Sequence, residues 1–131
     1  MSPKIIKLAQ DVLNIEANEI LKASDKISNE FSDAVECILR CEGRVILSGI
    51  GKSGHIAGKI ASTLSSTGTP SFFMHPGEAS HGDLGMITEK DIVIFLSNSG
   101  ESQELILLVP LIKRIGAKII SITGDTNSTL S

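Results

Sequence analysis

Three short segments of this 131-residue chain concentrate the side chains that could carry chemistry. The first, residues 48–55, places Lys52 and Ser53 among glycines. The second, residues 75–85, holds two histidines and two acids, and the third, residues 97–102, holds three serines and an asparagine. Ammonium, imidazole, carboxylate and hydroxyl groups are the usual donors, acids and bases of anion binding and proton transfer. These two kinds of chemistry are therefore the ones to consider.

The glycines of the first segment fit a dinucleotide-binding fingerprint, but the rest of that fingerprint is missing. Residues 49–54 read G-x-G-x-x-G after an apolar run. No acid follows the next apolar run to hold a ribose, and Ile46 stands where a nucleotide-binding P-loop needs its first glycine. What remains is a helix start with Gly51, Lys52 and Ser53, where free N–H groups and the helix dipole favour an anion. The alternative is a tight turn whose glycines serve geometry only.

The third segment suits a phosphate monoester. Ser97, Asn98, Ser99 and Ser102 offer three hydroxyls and an amide within six residues, beside the unpaired backbone donors of a helix start. Phosphate oxygens accept several such hydrogen bonds at once. Serines here could also serve only as helix caps, but one cap does not need so many donors. We therefore predict a phosphate site in this segment.

The second segment holds four side chains that could ligate a metal ion. They are His75, Glu78, His81 and Asp83. Zinc accepts imidazole nitrogen and carboxylate oxygen, yet the spacing matches no structural zinc site and no cysteine stands among the four. From the residues alone, a metal site in this segment stays open.

The elements that must position these segments alternate between strands and helices. Four short apolar runs are typical of strands buried on both faces: residues 45–47, 72–74, 92–96 and 118–122. Helices are predicted over residues 53–64 and 102–115. The alternation predicts a parallel sheet flanked by helices, and it places all three segments at the carboxyl ends of strands, where open α/β sheets bind their ligands.

Two amphipathic helices are predicted ahead of the sheet. Apolar residues fall close to helical spacing over residues 5–21. A second helix is expected to begin with Ser24 or Asp25 as its N-cap and to end at Gly43. We expect both helices to pack against the core or against another subunit.

Composition excludes several classes of protein. A net charge of −3, a pI of about 5.6 and an aromatic content of 3% oppose nucleic-acid binding. The longest apolar run, residues 105–112, is too short to span a membrane, and no signal peptide is visible, so a soluble cytoplasmic protein is expected. Cys37 and Cys41 lie four residues apart on a predicted helix and are expected to be small buried thiols, not a disulfide.

Four motifs together resemble the sugar isomerase (SIS) domain of arabinose 5-phosphate isomerases. They read GKSGH at residues 51–55, STGTP at 66–70, HPGEASHGDLGM at 75–86 and SNSGES at 97–102. The resemblance implies an α/β fold: a three-layer αβα sandwich with a parallel, Rossmann-like sheet, preceded by N-terminal helices. A single SIS domain is expected over residues 1–131, with residues 1–42 helical and residues 43–131 forming the phosphosugar-binding core.

The same resemblance implies an aldose–ketose isomerase. Members interconvert D-arabinose 5-phosphate and D-ribulose 5-phosphate through an enediol, supplying octulosonate for lipopolysaccharide and capsules, as cytoplasmic homotetramers that require no cofactor. The resemblance assigns catalysis to Lys52 and Glu104, and an inhibitory zinc ion to His75. The substrate-binding residues that it implies are Gly51, Ser53, Gly68, Thr69, His75, His81, Ser97, Asn98, Ser99 and Ser102.

Further family features fall outside this chain, and other functional classes stay open. Members use a second glutamate and a histidine downstream, followed by paired cystathionine-β-synthase-type repeats, so we expect the domain to be cut short and residues 1–131 alone to be nearly inactive. A non-catalytic phosphosugar-binding or regulatory domain would keep the serine segment without needing Lys52 and Glu104 together. A scaffold protein would need neither the glycine-rich segment, residues 48–55, nor the serine-rich segment, residues 97–102.

Overall fold

The computed structural model describes residues 3–79 and 81–131. Met1, Ser2 and Ser80 lie outside these ranges. Ser80 belongs to the histidine-rich motif at residues 75–86. The chain forms two compact units, Met1–Glu36 and Cys37–Ser131.

The first unit consists of helix α1 (Pro3–Asp25) and most of helix α2 (Asn29–Leu39). Among its described residues α1 has none that is buried, although apolar side chains recur along it at helical spacing. Eight of these side chains are largely exposed: Ile5, Ile6, Leu8, Val12, Leu13, Ile15, Ile20 and Leu21. None of the described helices is long and apolar enough to cross a membrane.

The predicted start of the second helix is wrong. Ser24 and Asp25 lie in the last turn of α1, because neither glycine nor proline interrupts that turn. α2 begins only at Asn29 and ends at Leu39, ahead of the predicted end at Gly43. The two residues that looked like caps therefore continue one helix and do not open the next.

The second unit is built on four strands: β1 (Val45–Gly49), β2 (Ser71–Phe73), β3 (Ile92–Ser97) and β4 (Lys118–Thr123). All neighbouring pairs are parallel, and the order in the sheet is β2-β1-β3-β4. Every residue of β1 and β3 is buried, as expected of central strands that are covered on both faces. The predicted parallel sheet is confirmed.

Helices cover both faces of this sheet. They are α3 (Gly51–Ser66), α4 (Pro76–Ala79) and α5 (Gln103–Ile115), with a 3₁₀ helix at Asp83–Met86. Val45 and Leu47 of β1 join the apolar cluster that contains α3, whereas Ile46 joins the cluster of α4 and α5. Successive side chains of a strand point to opposite faces, so this division gives the three αβα layers that were predicted. Residues 75–85, the second segment, contain α4 and the start of the 3₁₀ helix.

The order of the strands places a crevice between β1 and β3. From β1 the chain passes through α3 to β2 on one side, and from β3 it passes through α5 to β4 on the other. Where two such connections diverge, the carboxyl ends of the strands leave an opening that α/β folds use for ligands.

A buried carboxylate closes the opposite, amino edge of the sheet. Asp91, only 2% exposed, accepts hydrogen bonds at 2.7 Å from the backbone N–H groups of Arg44 and Thr88, and at 3.1 Å from the Thr88 hydroxyl. The Arg44 guanidinium lies 3.5 Å from the same carboxylate and 5.1 Å from the centre of the Phe72 ring. Burial alone would raise the pKa of Asp91, but these hydrogen bonds outweigh it and hold the pKa below its ordinary value.

Candidate functional site

A cavity of about 370 Å³ lies at the carboxyl ends of β1, β3 and β4. This volume is in the range of pockets that bind small molecules. The cavity joins the start of α3 to the serine-rich segment and to the end of β4. Its lining residues are Lys52, Ser53, Ile56, Leu96, Ser97, Asn98, Ile122, Thr123 and Gly124. Of the predicted site residues, Lys52, Ser53, Ser97 and Asn98 therefore meet in one place.

The turn from β1 into α3 brings backbone donors to this cavity. Gly51 has a φ of +57°, a conformation that favours glycine. Gly54 approaches the strand so closely that a Cβ atom there would lie 2.7 Å from the carbonyl oxygen of Gly49. Ile50 occupies the N-cap position, and no side chain within the described residues caps the helix. The N–H groups of the first turn therefore remain open to an anion.

Lys52 and Ser53 belong to that first turn. Lys52 is exposed, and it forms no hydrogen bond or ion pair with any residue that the structure describes. A cation beside the positive end of a helix dipole reinforces an anion-binding site. An ammonium group without a protein partner is also available to stabilise negative charge that develops during a reaction.

The serine-rich segment divides into buried and exposed hydroxyls. Ser97 is 4% exposed; its Oγ accepts the N–H of Gly100 at 3.1 Å and lies 2.9 Å from Oγ of Ser102. These two hydroxyls hold the shape of the turn. Asn98 and Ser99 are exposed, and Oγ of Ser99 accepts the N–H of Glu101 at 3.2 Å, which leaves its own proton free to donate. Asn98 and Ser99 are thus the residues of this segment most open to a ligand.

The end of β4 completes the cavity, although no local motif predicts its place there. The N–H of Gly124 donates to the carbonyl oxygen of Asn98 at 3.0 Å. A Cβ atom at Gly124 would lie 2.9 Å from that oxygen, so only glycine allows the approach. The available signal was the position of Thr123 and Gly124 directly after a strand, but only the strand order shows that β4 lies beside β3.

A second cavity of about 380 Å³ lies beside the first, between α3 and the end of β2. Its lining residues are Gly49, Gly51, Gly54, His55, Gly58, Phe73 and His75. The ring of His75 lies edge-on to that of Phe73, with the ring centres 6.4 Å apart, and its Nδ1 accepts the N–H of Gly77 at 3.1 Å. Two predicted substrate contacts, Gly51 and His75, therefore face this neighbouring space.

Six of the predicted residues line neither cavity: Glu104, His81, Ser99, Ser102, Gly68 and Thr69. Glu104 is exposed in the first turn of α5, two residues after the N-cap Ser102. His81 is exposed between α4 and the 3₁₀ helix, where its N–H donates to the carbonyl oxygen of Glu78 at 2.9 Å. The start of α5, like that of α3, carries no side-chain cap from the described residues. Its first turn is therefore also open to an anion.

Gly68 and Thr69, which the resemblance implies as substrate-binding residues, lie away from the cavity that Lys52 lines. They follow α3 and precede β2, and the carbonyl oxygen of Pro70 accepts the N–H of Val45, the first residue of β1. They therefore lie at the amino edge of the sheet, because α3 runs antiparallel to the strands and ends there. Within this chain the fold does not bring them to the cavity.

The described part of the second segment shows no cluster of side chains that could hold a metal ion. Within residues 3–79 and 81–131, no three histidine, cysteine, aspartate or glutamate side chains lie together as a group that could hold an ion. Zinc in proteins takes at least three such ligands. The described residues around His75 therefore do not fit a resident zinc site.

Comparison with known proteins gives consistent matches. The SIS domain family matches residues 38–131. An arabinose 5-phosphate isomerase KdsD of Pseudomonas aeruginosa is 51% identical over 126 residues, which is 96% of this chain and 39% of that protein. A probable arabinose 5-phosphate isomerase of Haemophilus influenzae is 49% identical over 126 residues, 96% of this chain and 37% of that protein. The chain thus spans less than two fifths of these relatives.

Solved structures share the fold, and the match covers a larger part of each of those chains than of the two relatives above. An Escherichia coli protein solved in complex with arabinose 5-phosphate is 41% identical, with a TM-score of 0.93, and the match covers 99% of this chain and 70% of that one. A Bacteroides fragilis phosphosugar isomerase candidate involved in capsule formation is 40% identical, with a TM-score of 0.89, covering 96% of this chain and 68% of that one.

Proposed function

The chain belongs to the SIS domain family, and on that premise we propose that the protein interconverts D-arabinose 5-phosphate and D-ribulose 5-phosphate. The resemblance of its motifs to arabinose 5-phosphate isomerases is confirmed by relatives of about half identity over nearly the whole chain. The arabinose 5-phosphate in the Escherichia coli complex supports a pentose phosphate as the substrate class.

One observation carries the proposal: the fold joins Lys52, which has no partner among the described residues, to the serine-rich turn. Lys52 and Asn98 line the same cavity although 46 positions separate them in the sequence. We assign the substrate phosphate to Asn98, Ser99 and the open first turn of α5, where hydrogen bonds to an anion are strong. Binding energy from this remote group then holds the reacting carbons near Lys52.

The chemistry needs a proton carrier and a stabiliser of negative charge. Isomerisation takes the proton from C2 of the open-chain aldose, leaves the electron pair in an enediolate, and returns a proton to C1. A second proton moves from the C2 hydroxyl to the C1 oxygen. We assign charge stabilisation to the ammonium group of Lys52 and proton transfer to the carboxylate of Glu104, which stands at the open start of α5.

These two groups account for part of an isomerase. A well-placed acid or base contributes about 10²–10⁴-fold to a rate, and isomerases of this kind use more than two. The expectation that residues 1–131 alone turn over slowly stays a prediction. Proton transfer supplies every step above, so the proposal assigns no role to a resident metal or organic cofactor. His75 is proposed as a contact to a sugar hydroxyl.

Assembly and pathway are also proposed on the sequence resemblance. The exposed apolar side chains of α1 support a homo-oligomer, for which we propose a tetramer, because apolar area of this extent favours burial against another copy. We further propose a cytoplasmic enzyme that supplies octulosonate for lipopolysaccharide or capsule. The capsule role attributed to the Bacteroides fragilis relative supports this assignment.

An isomerase assay with the purified whole protein tests the proposal. D-Ribulose 5-phosphate should form from D-arabinose 5-phosphate, and the rate should collapse in the Lys52→Ala variant. The competing function is a regulatory phosphosugar-binding domain. Such a domain would bind D-arabinose 5-phosphate in calorimetry, with and without Lys52, and would convert none of it.

A further inference from the structure

Glu101 in the serine-rich segment holds a contact that the proposed chemistry does not use. Its Oε1 accepts the N–H of Thr129 at 2.6 Å, and its Oε2 accepts the Thr129 hydroxyl at 2.8 Å. Both oxygens of one carboxylate are therefore engaged by one residue, which lies 28 positions away in the sequence. Hydrogen bonds to an ionised acceptor are stronger than neutral ones.

The stretch that contains Thr129, residues 125–131, lies directly against the serine-rich segment. The N–H of Leu130 donates to the carbonyl oxygen of Gly100 at 3.1 Å. Gly100 is buried with a φ of +66°, and a Cβ atom there would come within 2.0 Å of Oγ of Ser128. Leu130 in turn packs against the apolar core. Residues 125–131 therefore pack against the apolar core through Leu130 and bind the serine-rich segment through Thr129.

The position of Glu101 makes its orientation matter for an anion. It stands between Ser99 and Ser102, so a carboxylate that turned toward the cavity would repel a phosphate. Engagement by Thr129 keeps the negative charge on the side of residues 125–131. The N–H of Glu101 meanwhile donates to Oγ of Ser99, which orients that hydroxyl.

We propose that Glu101 is a positioning residue for phosphate binding. Its carboxylate, held by Thr129, fixes the turn in which Asn98 and Ser99 meet the phosphate of the substrate. This inference rests on the proposed function only in assigning the phosphate to this turn. It does not require Glu101 to touch the substrate.

The test compares Glu101→Ala, Glu101→Gln and Thr129→Val with a matched control, Glu89→Gln, in the whole protein. Glu89 is an exposed glutamate on the amino side of the sheet, just before β3. For D-arabinose 5-phosphate, KM and kcat are measured. For inorganic phosphate, Kd is measured by chemical-shift titration.

In Glu101→Ala we expect KM and the phosphate Kd to rise together, by about tenfold, while kcat changes less than about threefold, since two charge-assisted hydrogen bonds are lost away from the reacting carbons. Glu101→Gln keeps one acceptor for Thr129, and Thr129→Val removes only the hydroxyl donor, so both should show intermediate losses. Glu89→Gln should match the wild type.

Two results would overturn the inference. One is an unchanged phosphate Kd in a folded Glu101→Ala protein, and the other is a loss confined to kcat, which would make Glu101 catalytic. If Glu101→Ala does not fold, Glu101→Gln and Thr129→Val decide by the same criteria. A protein that converts no sugar, yet loses phosphate affinity in these variants, would refute the proposed isomerase and support the positioning role.

Discussion

The two edges of the sheet treat their polar groups in opposite ways. At the amino edge the carboxylate of Asp91 is buried and accepts hydrogen bonds from Arg44 and Thr88. At the carboxyl edge α3 begins without a side-chain cap from the described residues, Lys52 has no partner among them, and Ser99 is exposed with a free proton. Both edges belong to the same four strands.

This difference separates the residues that stabilise the fold from those that are free to bind a ligand. An edge whose donors and acceptors are hydrogen-bonded to one another stabilises the fold but leaves no free hydrogen-bonding group for a ligand. An edge with open donors can bind an anion and contributes less to folding. Substitutions at the amino edge should therefore change the free energy of unfolding, whereas those at the carboxyl edge should change binding and turnover.

The largest expected effect is at the carboxyl edge. Lys52→Ala should lower kcat by about 10²–10⁴-fold, because it removes the group proposed to stabilise the enediolate. Its melting temperature should stay within about 2 °C of the wild type, since an exposed side chain without partners adds little stability. Lys59→Ala, on the same helix, is the control, and kcat there should be unchanged. An equal loss of kcat in both variants would contradict the assignment.

The next effect is at the amino edge. Asp91→Ala should lower the free energy of unfolding by about 3 kcal/mol, because it leaves the part-buried donors of Arg44 and Thr88 without an acceptor. The KM of the folded protein should not change. Urea denaturation followed by circular dichroism measures the first quantity, and steady-state kinetics measures the second. A changed KM with an unchanged free energy of unfolding would contradict the assignment of stability to the amino edge and of ligand binding to the carboxyl edge.

The same residue predicts a pH dependence of stability. The pKa of Asp91 in the folded protein lies below its ordinary value, which also applies to the unfolded chain. Asp91 therefore stabilises the fold above that ordinary pKa, about 3.9, and the contribution is lost as the pH falls through the folded value. Below about pH 3.9, the wild type should lose stability with falling pH more steeply than Asp91→Asn. Parallel curves would refute this account of acid sensitivity.

A smaller effect concerns the phosphate. Ser99→Ala should weaken binding of D-arabinose 5-phosphate by about 1–3 kcal/mol, the contribution of one charge-assisted hydrogen bond. Calorimetry measures the change. Ser66→Ala, at the amino-edge end of α3, is the matched control and should leave affinity unaltered. Unchanged affinity in Ser99→Ala would remove this hydroxyl from the site.

The smallest effect sharpens the boundary between the edges. Gly68 has a φ of +99°, and no atom of the described residues lies within 4 Å of the place that a Cβ atom would occupy. Gly68→Ala should therefore cost about 1 kcal/mol of stability through backbone strain alone. Within one chain it should leave the affinity for D-arabinose 5-phosphate unchanged. A tenfold loss of affinity without a loss of stability would return Gly68 to the site.

Local patterns predicted the fold better than they predicted the site. The strands at Val45 and Ile92 were predictable because central parallel strands read as unbroken apolar runs. The start of α2 was not, since Ser24 and Asp25 favour caps and yet are tolerated in a last helical turn.

The complete site could not be predicted from local sequence patterns, because it joins residues that lie far apart in the chain. Lys52 and the serine-rich segment were predictable, because each follows its own strand directly. The place of Gly124 beside Asn98 depends on the order of strands, and the contact of Glu101 with Thr129 joins residues that no local motif relates. A motif shows which residues recur but not which edge of the sheet they occupy, so the place of Gly68 at the amino edge could not be predicted, and its role in substrate binding stays a prediction.

An amide chemical-shift titration with D-arabinose 5-phosphate shows directly which edge of the sheet binds the ligand. The signals of Lys52, Ser53, Asn98 and Ser99 should shift with one common Kd, while those at the amino edge, Thr88 and Asp91 among them, should stay in place. Shifts confined to the amino edge, or none at Lys52 and Asn98 at saturating ligand, would contradict the assignment of ligand binding to the carboxyl edge.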